Sequence, residues 1–196
     1  MFQVRIHGRG GQGVVTAAEL LAQAAFDEGR HAQAFPSFGS ERTGAPVVAF
    51  CRIADNAIRV REPVMTPDAL IVQDETLLRA IDVFNGLSPN GYVLINSTKT
   101  FAELGLAQYS PSAQRFITVP ATQLAMEHLG RPVPNAVLLG AFAALTNVVS
   151  LKSVTDAINE RFSAKLAVGN CSAASAAYEY VVAHLGANES KVVSNA

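Results

Sequence analysis

The first residues alternate cleanly: Phe2, Val4 and Ile6 are apolar, Gln3, Arg5 and His7 polar, which predicts a half-buried strand ending at Gly8. After Gly13 the spacing changes. Val14, Val15, Ala18, Leu21, Ala22 and Ala25 recur with helical period, Thr16 and Glu19 fit a capping box, and Gly29 supplies a stop. "HAQAF" is then a short extended piece running into Pro36, and 37–46 a polar loop. "PVVAFCRI" (46–53) and "AIRV" (57–60) predict a hairpin about Asp55-Asn56. "DALIVQD" (68–74), "GYVLIN" (91–96) and "RFITVPA" (115–121) are apolar runs of buried-strand length, with a helix expected over Glu75–Phe84 and a short one through Leu129. Further helices are expected at 136–149, apolar all round, at about 152–162 and at about 172–185, ending at Gly186. Strands alternating with helices predict an α/β, three-layer, Rossmann-like domain with a mixed sheet and a glycine-rich loop after its first strand. One domain over 1–186 is expected, with a polar tail at 187–196.

Composition narrows the function. The 196 residues are 49% hydrophobic and 16% charged, with a formal net charge of −1. Such a balance offers no electrostatic footprint for nucleic acid or an anionic membrane, and no run is long enough to span a bilayer. It suits a subunit with large interfaces, because little charge is on hand to cover a free surface. Cys51 and Cys171 form no close pair, which, with no signal-peptide pattern at the start, predicts a reducing, cytoplasmic setting. Two cysteines fall short of the roughly four that a cubane iron–sulfur cluster takes, and the four histidines show no metal-ligand spacing.

The densest signal is "HGRGGQG", residues 7–13. Gly8-x-Gly10-x-x-Gly13 sits between a strand and a helix, where bare backbone N–H groups can hold a phosphate. A tight turn that binds nothing would give the same glycines. The dinucleotide reading also asks for an acid at the end of the second strand, and "HAQAF" ends in Pro36-Ser37. Asp27 and Glu28 precede that segment and read as solvated surface. The loop therefore suits phosphates better than a whole NAD.

Together, GRGGQG, the Phe38-Gly39-x-Glu41-Arg42 loop and "IVQDETLL" make the chain resemble the gamma subunit of 2-oxoacid:ferredoxin oxidoreductases, most closely the pyruvate synthase type. The resemblance runs on through "GYVLINS" and "NAVLLGAFAALTNVVSLKSVTDAINERF", to about residue 185. It implies a share in an enzyme. Such complexes decarboxylate a 2-oxoacid on thiamine diphosphate, transfer the acyl group to coenzyme A and pass electrons through iron–sulfur clusters to ferredoxin. Thiamine diphosphate, Mg and [4Fe-4S] clusters are expected in alpha, beta and delta-type partners, and no catalytic residue or metal ligand in this chain. The resemblance assigns coenzyme A binding to Gly8, Arg9, Gly10, Gly11, Gln12 and Gly13, with Ser37, Phe38, Glu41 and Arg42 at the adjoining interface. Thr43 stands where the family often has a second arginine, so a two-arginine anion clamp does not carry over. A purely structural subunit of the same complex, or specificity for 2-oxoglutarate, 2-oxoisovalerate or indolepyruvate, are the alternatives.

Other polar residues have simpler readings. Glu41 and Arg42 also fit a solvated pair. Asp74 and Glu75 fit acids at a helix N-terminus, and Asn96-Ser97-Thr98 a turn and cap that could also line a cleft. Cys51 reads as packed, Cys171 as no nucleophile, and His7 as a half-buried strand residue.

Overall fold

The computed structural model describes residues 1–37, 44–107 and 115–194, with side chains as far as 186. Six strands form one sheet: β1 (Phe2–Arg9), β2 (His31–Pro36), β3 (Pro46–Ala54), β4 (Ala69–Val72), β5 (Tyr92–Asn96) and β6 (Phe116–Val119), in the order β2-β3-β1-β4-β5-β6. β1, β4, β5 and β6 run parallel, while β3 is antiparallel to both β1 and β2. All four parallel strands thus present their carboxyl ends to one edge of the molecule, where open α/β sheets bind ligands.

The expected partner strand at 57–60 does not form. β3 is already paired along its length on both sides, Phe2↔Ile53 to Arg9↔Pro46 and His31↔Ala54 to Pro36↔Ala49, so no free edge remains. Arg52 then draws the following segment across the sheet, donating to the carbonyl oxygens of Val60 (3.4 Å) and Glu62 and stacking over Phe35 at 5.0 Å.

Alternation along the central strands sorts two cores. Val4, Ile6, Ile71, Leu94 and Ile117 pack towards α1 (Val14–Asp27), α3 (Asn135–Thr146), α4 (Leu151–Arg161) and α5 (Ala164–Ser194), with α2 (Ala121–Leu129) beside α5. Leu70, Val72, Val93, Ile95 and Phe116 face the other way, onto Leu77, Val83 and Leu106. That second face is covered by turns and by a 3-10 turn at Glu75–Arg79 in place of the expected helix over Glu75–Phe84. Arg5 supplies a reason: its guanidinium takes the carbonyl oxygens of Val83 (3.0 Å) and Asn85 (2.5 Å), holding that stretch against β1 in a non-helical path. The predicted helix over 136–149 is α3, buried on every side from Asn135 to Leu145. Each large apolar side chain so buried contributes about 1.5–3 kcal/mol. α5 starts earlier than expected and passes through Gly186 without ending there.

Two further expectations change. Thr16 and Glu19 make no capping box, because α1 starts at Val14 from Gly13, which is left-handed (φ 72°), and no side chain caps it. Glu28 is not idle surface: its Oε1 accepts from Ser150 N and Ser153 Oγ, both at 2.7 Å, tying the end of α1 to the start of α4.

His7 is buried on the turn-covered face, where its Nε2 accepts from Arg5 Nε at 3.1 Å. Its Nδ1 finds no partner among the described residues. Burial, reinforced by the charge on Arg5, pushes the His7 pKa down to about 4 from 6.5. The unfolded residue takes up its proton near 6.5 and the folded one only near 4, so stability is full above the upper value and declines down to the lower. The loss amounts to about 3 kcal/mol. Asp74 and Glu75, held below their ordinary carboxylate values, act at lower pH. The fall in melting temperature between pH 6.5 and 4 should therefore flatten in His7→Asn. An equally steep fall in that variant would place the acid sensitivity elsewhere.

Candidate functional site

The glycine loop lies at the carboxyl end of β1 and leads straight into α1. Gly11 (φ 94°) and Gly13 (φ 72°) are left-handed, which a side-chain-bearing residue adopts only with strain. The loop is fastened on both flanks. Gly10 N donates to Ala45 O (2.9 Å) and Gly44 N to Gly10 O (3.2 Å), so the end of the 37–44 segment sits against the glycines. On the other flank, Gln12 accepts from Arg9 N (2.8 Å) through Oε1 and donates to Asp74 Oδ2 (2.9 Å) through Nε2.

Arg9 does not project freely. Its guanidinium meets Asp74 (3.3 Å), the Thr76 hydroxyl (2.7 Å) and Gly44 O (3.0 Å), bridging both flanks of the loop. Asp74 in turn accepts from Thr76 N (3.0 Å) and caps the 3-10 turn. Burial works to raise its pKa, but the hydrogen bonds from Thr76 and Gln12 and the charge of Arg9 outweigh it and hold the carboxyl below its usual value. Asp74 therefore fills the expected cap role and also anchors the glycine loop from 62 residues away. Glu75 is engaged likewise, with Lys99 Nζ at 2.5 Å and the Ser97 hydroxyl, which lower its pKa.

Beside the loop a cleft of about 340 Å³ opens across the strand ends. Gln12 forms one wall; Gln73, Asp74 and Glu75 follow β4; Asn96 ends β5, and Ser97 and Thr98 follow it. Pro120, Thr122 and Gln123 close it after β6. No lysine or arginine lines it among the described residues. Asn96 locks two strand ends together, donating to Gln73 O (2.8 Å) and Thr122 Oγ1 (2.7 Å) and accepting from Thr122 N (3.0 Å). Gln73 is 1% exposed, yet neither Oε1 nor Nε2 of its carboxamide has a partner among the described residues. Leaving a buried amide unpaired costs roughly 1–3 kcal/mol.

The structure thus brings together Gly8, Arg9, Gly10, Gly11, Gln12 and Gly13, and places the cleft-lining Asn96-Ser97-Thr98 beside them. Ser37 is exposed, with its N–H donating to Val48 O at 2.8 Å; Phe38, Glu41 and Arg42 lie outside the described residues. His7 is not among the residues lining the cleft. Gln73, Thr122 and Gln123 went unread in the sequence. For Gln73 a signal was present: a carboxamide directly ending the apolar run Leu70-Ile71-Val72. Cys51 is fully buried, its thiol pushed up to about 12. Cys171 donates to Thr155 O (3.5 Å), and burial raises its pKa too, so neither offers a ready thiolate. Among the described residues, no three His, Cys, Asp or Glu gather as a metal-binding group, and no helix is long and apolar enough to cross a membrane.

A family model for pyruvate ferredoxin/flavodoxin oxidoreductase matches residues 3–180. The chain belongs to that family. Within it, the chain is a gamma-type subunit of a multi-subunit oxidoreductase acting on 2-oxoacids. It is 50% identical over 179 residues to the pyruvate synthase subunit PorC of Methanothermobacter marburgensis, covering 91% of this chain and 97% of that one. It is 46% identical over 184 residues to the pyruvate/ketoisovalerate oxidoreductases common subunit gamma of Thermococcus litoralis, covering 94% and 99%. The crystal structure of pyruvate oxidoreductase subunit PORC from Thermotoga maritima superimposes with a TM-score of 0.75 at 35% identity, over 91% of this chain and 95% of that one.

Proposed function

We propose that this subunit serves a complex that converts pyruvate, coenzyme A and two oxidised ferredoxins into acetyl-coenzyme A, carbon dioxide, two reduced ferredoxins and a proton, or runs the reverse, and that it contributes to the coenzyme A site. The observation that carries the reading is the start of α1: a left-handed Gly13, no side-chain cap, and a glycine loop at the carboxyl edge of the parallel strands. The first-turn N–H groups of Val14, Val15 and Thr16 are then on hand for phosphate oxygens, with the helix dipole favouring the negative charge. Gly11 is exposed and left open to a ligand, Gly8 is buried at the root of the loop, Gly10 is tied to Gly44 and Ala45, and Arg9 and Gln12 act by holding the loop in shape through Asp74. Ser37, Phe38, Glu41 and Arg42 are assigned, on this reading, to the interface with the partner subunits. Thiamine diphosphate, Mg and [4Fe-4S] clusters belong, on this reading, to alpha, beta and delta-type partners; two cysteines do not furnish a cubane's ligands.

Gly10→Val tests the coenzyme A assignment in the co-expressed complex. Its bulk should raise the KM for coenzyme A about tenfold or more, with pyruvate KM little changed. An intact complex with unchanged coenzyme A kinetics would reduce the loop to architecture.

A further inference from the structure

The strangest group in the molecule is the Gln73 carboxamide. Its backbone is pinned on both sides, N–H to His7 O (2.8 Å) and C=O from Asn96 Nδ2 (2.8 Å), so the side chain is aimed by two neighbouring strands. It is 1% exposed and lines the cleft, and both its donor and its acceptor lack a partner among the described residues. The space beside it depends on Gly8. A Cβ there would fall 3.0 Å from Gln73 Oε1, 3.1 Å from Gln12 Oε1 and 2.5 Å from Val14 Cγ2, so Gly8 lets two carboxamides converge at the root of the loop.

The chemistry of the cleft separates what it can accept. An amide offering one donor and one acceptor side by side is matched by another amide. Asn96, Ser97, Thr98 and Thr122 add neutral donors and acceptors around it. Asp74 and Glu75 stand at the rim, each already paired with its own cation. No further cation lines the cleft among the described residues, so a phosphate placed there would stand beside two carboxylates with no cation of its own. The start of α1 favours the opposite cargo. Gln12 belongs to both loop and cleft, so a ligand with an anionic head and an uncharged, amide-bearing tail would cross from one to the other.

We infer that the cleft binds the pantetheine arm of coenzyme A, whose two amides and hydroxyl are uncharged, and that the Gln73 carboxamide hydrogen-bonds one of those amides. The inference rests on the coenzyme A reading above and gives Gln73 the role of a ligand-binding residue. A volume of about 340 Å³ falls in the usual range for small-molecule sites.

The test uses the assembled complex and the two halves of coenzyme A as calorimetric probes. Gln73→Leu should weaken coenzyme A and 4′-phosphopantetheine about tenfold, the equivalent of one or two hydrogen bonds, and leave adenosine 3′,5′-bisphosphate unchanged. The same variant should melt at or above the wild-type temperature, because it removes an unpartnered buried amide. Weakened binding together with undiminished stability is a pattern that a merely structural residue does not give. If Gln73→Leu binds coenzyme A like the wild type while Gly10→Val binds it poorly, the arm is elsewhere and only this inference fails. If neither variant changes affinity in an intact complex, the coenzyme A reading fails and takes this one with it. Equal weakening of the bisphosphate would hand the cleft to the nucleotide half, and loss of the complex would make a partner subunit the occupant. Either result overturns the assignment.

Discussion

Gly140→Ala is expected to lower the melting temperature by about 10 °C or more, a loss of roughly 4 kcal/mol. The residue lies in α3 where that helix packs on α5. A Cβ at Gly140 would stand 1.9 Å from the carbonyl oxygen of Ala174, 2.6 Å from its carbonyl carbon and 2.8 Å from its Cα. All three are backbone atoms of α5, so no rotamer change can clear them. The helices would have to separate, opening space around the fully buried Leu138 and Phe142. An alanine is ordinarily a better helix former than glycine by up to about 1 kcal/mol, and that gain is far too small to offset the clash. A thermal melt followed by circular dichroism decides it; a melting temperature within about 2 °C of the wild type would mean that the close approach of α3 and α5 is not as described.

The second large effect belongs to Gly13→Ala. Alanine at φ 72° costs roughly 1–2 kcal/mol in backbone strain. Its Cβ would also lie 2.4 Å from Nδ2 of Asn135, a buried side chain whose Oδ1 accepts from Ala136 N at 2.8 Å. Displacing Asn135 disturbs the first turn of α3, so a total of about 3 kcal/mol is expected, with the KM for coenzyme A rising because the start of α1 moves. Gly13→Asn separates the causes. Asparagine tolerates the left-handed region but keeps the Cβ, so it should recover the strain and retain the collision. Full recovery of stability in Gly13→Asn would show the collision to be harmless.

Much of the architecture was legible because it is local. The alternation of β1, the apolar runs of β4, β5 and β6, the stop of α1 at Gly29 and the all-round burial of α3 follow from residues close in sequence. What escaped reading depends on distant partners. Arg5 and His7 alternate with apolar residues and so read as the wet side of β1, yet both are buried because the chain near Val83 and Asn85 returns to cover them. The strand expected at 57–60 has good local pattern and loses to β2, which takes the only edge of β3 left by β1. Glu28 sits at a helix end among polar neighbours, with nothing nearby to announce Ser150 and Ser153.

The site divides along the same line. Its glycines were plain as a cluster, two of them, Gly11 and Gly13, in the left-handed region that glycine adopts most readily, and the carboxyl-edge location follows from the strand–loop–helix order. The network that shapes it was invisible: Arg9, as a cation beside a phosphate loop, reads as a ligand contact, whereas the carboxylate it meets arrives from the end of β4.

The bond between Glu28 and the start of α4 spans 122 residues. α1 buries Val14, Ala17, Ala18, Leu20, Leu21, Ala24 and Ala25 against β2 and β3, which are made early, and against α3 and α4, which are synthesised late in the chain. At about 5–20 residues per second, roughly 6–24 s of translation separate Glu28 from Ser150. Throughout that interval α1 can pack on the sheet, but the part of its apolar surface that α3 and α4 cover stays open. A chain halted before Ser150 therefore leaves the part of that surface facing α4 exposed, the condition in which aggregation competes with folding.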